Sequence, residues 1–145
     1  MRPGPPAVSR ILETSLYVAD LNRAEAFYGR VFGFAAMSRD DRLRALAVPG
    51  RGVLLLFRRG GATQPSALPF GTIPGHDGAG TLHLAFAIPA GSAAEWEAHL
   101  SALEIALESR VEWPQGAISL YFRDPDGHSL EVATPGLWAN DRPFA

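Results

Sequence analysis

The sequence contains no cysteine. That excludes a disulfide framework, a thiolate metal site and a cysteine nucleophile, so any metal held here needs nitrogen and oxygen ligands. There is no run of Lys or Arg, and the formal net charge is -2, which leaves no electrostatic footprint for nucleic acid or an anionic membrane. No apolar run approaches the roughly 20 residues of a membrane span, and the N-terminal MRPGPPAVSR lacks the apolar centre of an export signal. A cytoplasmic protein is the expectation. Of the 145 residues, 47% are hydrophobic and 19% charged, which suits one compact domain or two small modules with a common core.

What is present is organised around residues 117–134, AISLYFRDPDGHSLEVAT. Both ends alternate with period 2, and Asp-Pro-Asp-Gly between them supplies a Pro-set φ and a Gly free to turn, so the stretch predicts a β-hairpin. Ser119 and Tyr121 share one strand face, and Ser129, Glu131 and Ala133 share one on the returning strand. A carboxylate in the middle of such a strand must be solvated, paired or coordinated. Glu131 is therefore the residue to explain, with the wet side of a half-exposed sheet as its plain alternative. His128, opposite in parity, is expected to point outward, and Arg123 to pair with Asp124 or Asp126.

The rest of the chain follows in order. Residues 1–10 read as a flexible N-terminal arm rich in Pro and Gly. Residues 11–18 predict a strand with Glu13, Ser15 and Tyr17 on one face. Asp20 then caps an amphipathic helix that ends at Gly33. Three further strands are expected at residues 34–37, 43–48 and 52–58. Residues 59–80, RGGATQPSALPFGTIPGHDGAG, have no period and read as a structureless linker or lid loop. A strand over 81–88 carries His83. Ser92 is the expected N-cap of a second helix, with Ala93, Glu95, Glu97 and His99 toward solvent, and strands over 107–113, 117–122 and 128–134 follow. Residues 135–145 form a tail.

The order β-α-β-β-β thus occurs twice, with a period of about seventy residues from Glu13 to His83. Module one spans 11–58 and module two 81–134 of a single domain over 11–134. The repeat gives Glu13 and His83 equivalent places on the first strand of each module, whereas the counterpart of Glu131 falls near the apolar Leu55. If two such sheets face one another, Glu13, His83 and Glu131 converge as two carboxylates and an imidazole, a donor set suited to a divalent metal.

The segments SLYVADLNRAEAFYGRVFGF, TLHLAFAI and SLYFRDPDGHSLEV resemble, in that order, signature segments of the vicinal oxygen chelate superfamily, the glyoxalase, bleomycin-resistance protein and dioxygenase family. The resemblance implies an α+β fold whose two βαβββ modules form an incomplete eight-stranded barrel or cup. It also implies a homodimer with sites shared between copies, and one divalent ion per site, of Mn, Fe, Zn, Ni or Mg. His83 and Glu131 fall on module-two ligand positions. Glu13 falls where many relatives have His and some Gln or Glu, and the fourth acid of glyoxalase I is missing near Leu55. Fosfomycin-resistance enzymes match at Ser119 and Tyr121 but carry a basic residue where Val111 stands, which argues against a phosphonate.

The activity implied is that of a lyase, isomerase or ring-cleaving dioxygenase acting on a small oxygen-rich substrate by bidentate chelation. In it Glu13 or Glu131 moves a proton and Tyr121 donates a hydrogen bond. Ser15, Ser119, Tyr121, Trp113 and His76 are the substrate-side candidates. A core role for Tyr121 and Trp113, and a solvated loop for His76, stay open beside that. The aromatic residues around these positions are compatible with an aromatic substrate. A metal-free, ligand-sequestering protein of the bleomycin-resistance type is the alternative.

Overall fold

The computed structural model describes residue 2 and residues 4–142; positions 1 and 3 of the expected arm and 143–145 of the expected tail lie outside the described residues. The first module begins with β1 (Glu13–Val18) and α1 (Leu21–Phe32), followed by β2 (Ala36–Arg39), β3 (Leu43–Val48) and β4 (Gly52–Arg58). Its sheet has the order β1-β4-β3-β2, with β1 and β4 parallel and the other pairs antiparallel. Residues 59–80 hold a small hairpin of β5 (Ser66–Leu68) and β6 (Gly71–Ile73). The second module is β7 (His83–Ala87), α2 (Ala93–Ala102), β8 (Ser109–Glu112), β9 (Ile118–Arg123) and β10 (Ser129–Ala133), with the order β7-β10-β9-β8. The two sheets are copies of one path, forming an open cup and not a closed barrel.

The register carries the repeat down to single residues. In module one Glu13 pairs with Val53 and Ser15 with Leu55. In module two His83 pairs with Ser129 and Ala85 with Glu131. Glu13 and His83 are thus equivalent, as are Leu55 and Glu131.

Helix α1 starts where Asp20 Oδ1 accepts from the Arg23 amide at 3.0 Å and ends at Gly33, whose φ of 74° is the left-handed turn that Gly makes without a Cβ clash. Its buried stripe, Leu21, Ala24, Phe27, Tyr28 and Val31, packs into a core built with Leu120, Phe122, Leu130 and Val132 of module two. The α2 cap differs from expectation. The Ser92 hydroxyl donates to Pro89 O at 2.6 Å and makes no bond to the helix. Ala93 is buried and His99 donates to Val31 O at 2.8 Å, because residues two apart on a helix cannot share a solvent face.

The turn 124–128 joins the modules, and here two expectations are corrected. His128 is fully buried, not outward: the Leu82 amide donates to its Nδ1 at 2.9 Å and its Nε2 donates to Tyr17 O at 2.8 Å. Parity placed it away from Glu131, but that side of the sheet is the packed side. Arg123 pairs with Glu108 across the sheet at 2.7 Å rather than with Asp124 or Asp126. Both aspartates face inward instead. Asp124 accepts from Tyr28 OH at 2.8 Å, and Asp126 accepts from the Ala19 amide at 2.8 Å. Residues 59–80 are not structureless, since the β5–β6 pairing forms there on a Gly-Pro-rich background that carries no alternation. Strand ends shift by one or two residues, most for β2, which starts at Ala36.

Burial of tyrosine gives the fold a readable pH dependence. The chain has three tyrosines and no lysine. Burial, then the neighbouring Asp124 charge, pushes the Tyr28 hydroxyl far above its ordinary value of 10.0. The folded state therefore keeps a proton that the unfolded chain loses above pH 10, so this contribution is intact below that pH and falls above it. Unfolding free energy from urea melts between pH 9 and 11 is expected to decline by about 1.4 kcal/mol per pH unit above 10 from this group. Tyr28→Phe should flatten that slope while lowering stability at pH 7, because Asp124 loses its buried donor; equal slopes would refute the assignment.

Candidate active site

Strand alternation puts the chemistry-bearing side chains on the concave face of each sheet. On module two, β10 pairs Glu131 with Tyr121 and Ala133 with Ser119 across to β9, so these residues share the face with His83 at the sheet edge. Glu131 is only 4% exposed and Ser119 fully buried. The carboxylate is held in a chain: Trp113 Nε1 donates to Ser119 Oγ at 2.9 Å, and Ser119 donates to Glu131 Oε2 at 2.5 Å. Trp113 therefore orients Ser119. This partner of Trp113 is visible only in three dimensions.

Glu131 Oε1, the other oxygen, faces His83 Nε2 at 3.3 Å. His83 Nδ1 lies 2.9 Å from Ser129 O. A carbonyl only accepts, so Nδ1 carries a proton, and Nε2 is the ring atom left to face the carboxylate. A contact this close between Nε2 and a carboxylate oxygen is bridged by a proton or by a cation. A backbone carbonyl on the far ring nitrogen and a hydroxyl on the far carboxylate oxygen are also what fixes metal-binding His and Glu side chains. The donor set on this face fits a divalent ion. Tyr121, whose ring lies 6.3 Å from that of His83, is pushed above its ordinary value by burial and then by the Glu131 charge, so it stays a hydrogen-bond donor at neutral pH.

Glu13 stands elsewhere. It lies in a cavity of about 460 Å³ on the concave face of module one, with Ser15, Tyr17, Leu55 and Phe57. The structure joins His83 to Glu131 and does not bring Glu13 to them; among the described residues no three His, Asp or Glu side chains are grouped to hold a metal. The segment 59–80 closes over this cavity. His76 Nδ1 is 2.7 Å from Tyr17 OH, and its ring meets Phe57 edge-on at 4.6 Å. Gly78 lies on the Tyr17 ring so closely that a Cβ would come within 2.4 Å of it, so only Gly permits this seat. His76 is thus exposed yet fixed in the cavity wall. Burial, then Asp77, raises the Tyr17 hydroxyl above its ordinary value.

The sequence reading missed Arg42, which lines the same cavity from the turn before β3. The signal available was a basic residue directly before a strand, too common to single out. No helix of the described residues is long and apolar enough to cross a membrane.

Comparison with known proteins places these faces in a family. The sequence model of the Glyoxalase/Bleomycin resistance protein/Dioxygenase superfamily matches residues 10–132. Catechol-2,3-dioxygenase of Bacillus subtilis (strain 168) is 30% identical over an alignment of 138 residues that covers 88% of this chain and 43% of that protein, so the chain spans less than half of that relative. The crystal structure of lactoylglutathione lyase from Agrobacterium tumefaciens superposes with a TM-score of 0.83 at 38% identity, covering 94% of this chain and 99% of that one. A fosfomycin resistance protein from Listeria monocytogenes shares the fold at a TM-score of 0.67 and 20% identity, covering 90% and 97% of the two chains.

Proposed function

The chain belongs to the Glyoxalase/Bleomycin resistance protein/Dioxygenase superfamily, and from that premise we propose that it is a metal-dependent enzyme. Its substrate is a small oxygen-rich molecule, and its reaction is that of a lyase, isomerase or ring-cleaving dioxygenase. The observation that carries this reading is the His83–Glu131 pair, Nε2 and Oε1 3.3 Å apart, each side chain with its far atom engaged. His83 and Glu131 would hold the ion from module two. Glu13 of a second copy of the chain would supply the third donor, which makes the working unit a homodimer, placed here in the cytoplasm, with module-one and module-two faces opposed across the cup.

The chemistry such an ion supplies when bound is Lewis-acid stabilisation of charge on two adjacent substrate oxygens. Tyr121 donates a hydrogen bond to the substrate from the module-two side. Of the two acids, Glu131 is clamped by Ser119 and positions the site. Glu13 is exposed and in no ion pair among the described residues, so it is the one free to accept and return a proton. Ser15 and His76 line the substrate side opposite.

A second reading is a metal-free protein that sequesters a ligand in the cup, for which the module-one cavity of about 460 Å³ offers the room. Elemental analysis of untagged protein decides between them. About one equivalent of Mn, Fe, Zn, Ni or Mg per chain, lost in His83→Ala, is expected. Wild-type protein that holds none and takes up none when Mn, Fe, Zn, Ni and Mg are supplied would overturn the enzyme reading.

A further inference from the structure

The module-one cavity has a charge that its wall does not neutralise. Arg42 is half-buried, and its single side-chain bond among the described residues is a 3.3 Å donation from Nη2 to Ser66 Oγ of β5. Of the arginines near it, Arg39 and Arg44 both pair with Glu25, and Arg58 Nε donates to Asp41 O at 3.3 Å; none of these three lines the cavity. A half-buried guanidinium with most of its fork unengaged is a bidentate donor for a planar anion.

The geometry places this charge at one end of the cavity. Arg58 N donates to Arg42 O at 2.8 Å, and the adjacent Leu43 pairs with Phe57, which pairs with Tyr17. Arg42 therefore stands at the Tyr17 end of β1. Glu13 stands at the other end, four residues away on the same face, which is about 13 Å at the rise of an extended strand. Between them the walls are the Phe57 and Tyr17 rings, stacked at 6.1 Å, with His76 edge-on.

We propose that the substrate is a carboxylate-bearing molecule with a single aromatic ring or a core as flat, its carboxylate on Arg42 and its paired oxygens toward Glu13. The inference rests on reading this cavity as part of the substrate site. Arg42 is the one permanent cation among the described lining residues, and Glu13 the one carboxylate. One guanidinium compensates one negative charge, so a carboxylate is balanced at Arg42, where a phosphate dianion would carry a second, uncompensated charge and meet about twice the repulsion from Glu13. A cavity of about 460 Å³ is of the size that holds such a small molecule.

The test uses chelator-treated full-length protein with benzoate, benzamide and phenyl phosphate as probes, their affinities measured by calorimetry or ligand-observed NMR. Benzoate is expected to bind roughly 10-fold or more tightly than benzamide, the scale of one charge-assisted hydrogen bond, and more tightly than phenyl phosphate. Arg42→Gln should bring the benzoate-to-benzamide ratio close to one. Arg42→Lys, which keeps the charge in the fold but loses the fork, should keep benzoate ahead by a smaller ratio, and it serves if Arg42→Gln does not fold. Equal binding of benzoate and benzamide, binding of neither, a ratio that neither substitution lowers, or phenyl phosphate at parity with benzoate would overturn the proposal. Metal content is not involved in this ratio, so a metal-free protein would sink the enzyme reading alone, and a ratio near one would sink this inference alone.

Discussion

Glu131→Gln is expected to lower affinity for a divalent metal by roughly 100-fold or more while leaving the fold as stable as before, or more so. The first half follows from the loss of the one anionic donor on the module-two face, since second-layer changes at metal sites already cost about 10–100-fold. The second half follows from burial. A carboxylate at 4% exposure loses hydration that His83 and Ser119 return only in part, and a neutral amide of the same shape keeps the Ser119 bond without the charge. Ser119→Ala should give a smaller loss, in the 10–100-fold range, because Oε2 and the Trp113 indole lose their common partner while Oε1 stays. Competition with a chromophoric chelator measures both, and circular dichroism melts report the fold. Glu131→Gln protein with wild-type metal affinity would show that this pair is not the metal site, and a large fall in melting temperature would make Glu131 a structural residue.

For His128→Leu the expected result is the reverse pattern, a large stability loss. The imidazole takes one bond from the Leu82 amide and gives one to Tyr17 O, both in full burial. Leucine fills the volume and satisfies neither backbone group. Each unpaired group costs about 1–3 kcal/mol, so a loss of roughly 3 kcal/mol and a melting temperature lower by roughly 10 °C are expected. The same change loosens both half-sites, since Tyr17 lines the module-one cavity and Leu82 precedes His83. A melting temperature within a few degrees of wild type would mean that the two modules do not depend on this tie.

These two residues show where local pattern stops being informative. His128 stands just before β10 and Glu131 three residues on within it, and parity correctly sends them to opposite faces. What parity cannot say is which face is wet, because that depends on what the sheet packs against. The convex side, with His128, receives module one, and the concave side, with Glu131, faces the cup. The same gap explains Arg123, whose expected partners are its sequence neighbours and whose actual partner, Glu108, stands just before β8. It explains residues 59–80 as well. The end of that segment is seated by close packing of His76 and Gly78 on Tyr17, a contact between segments about sixty positions apart that leaves no period in the sequence.

The sequence by itself determined the two βαβββ modules, their equivalence at Glu13 and His83, the capped first helix, the Asp-Pro-Asp-Gly hairpin, the superfamily and the face shared by Glu131, Ser119 and Tyr121. All of these rest on interactions local in the chain or on a pattern repeated within it, so period and spacing carry them. Only the tertiary structure decided that His83 and Glu131 meet while Glu13 stands apart in a second cavity with Arg42, that Trp113 and Ser119 clamp the buried carboxylate, and that His128 ties the modules together. Those outcomes depend on how two sheets settle against each other, which is set by the sum of many apolar contacts and by no single motif.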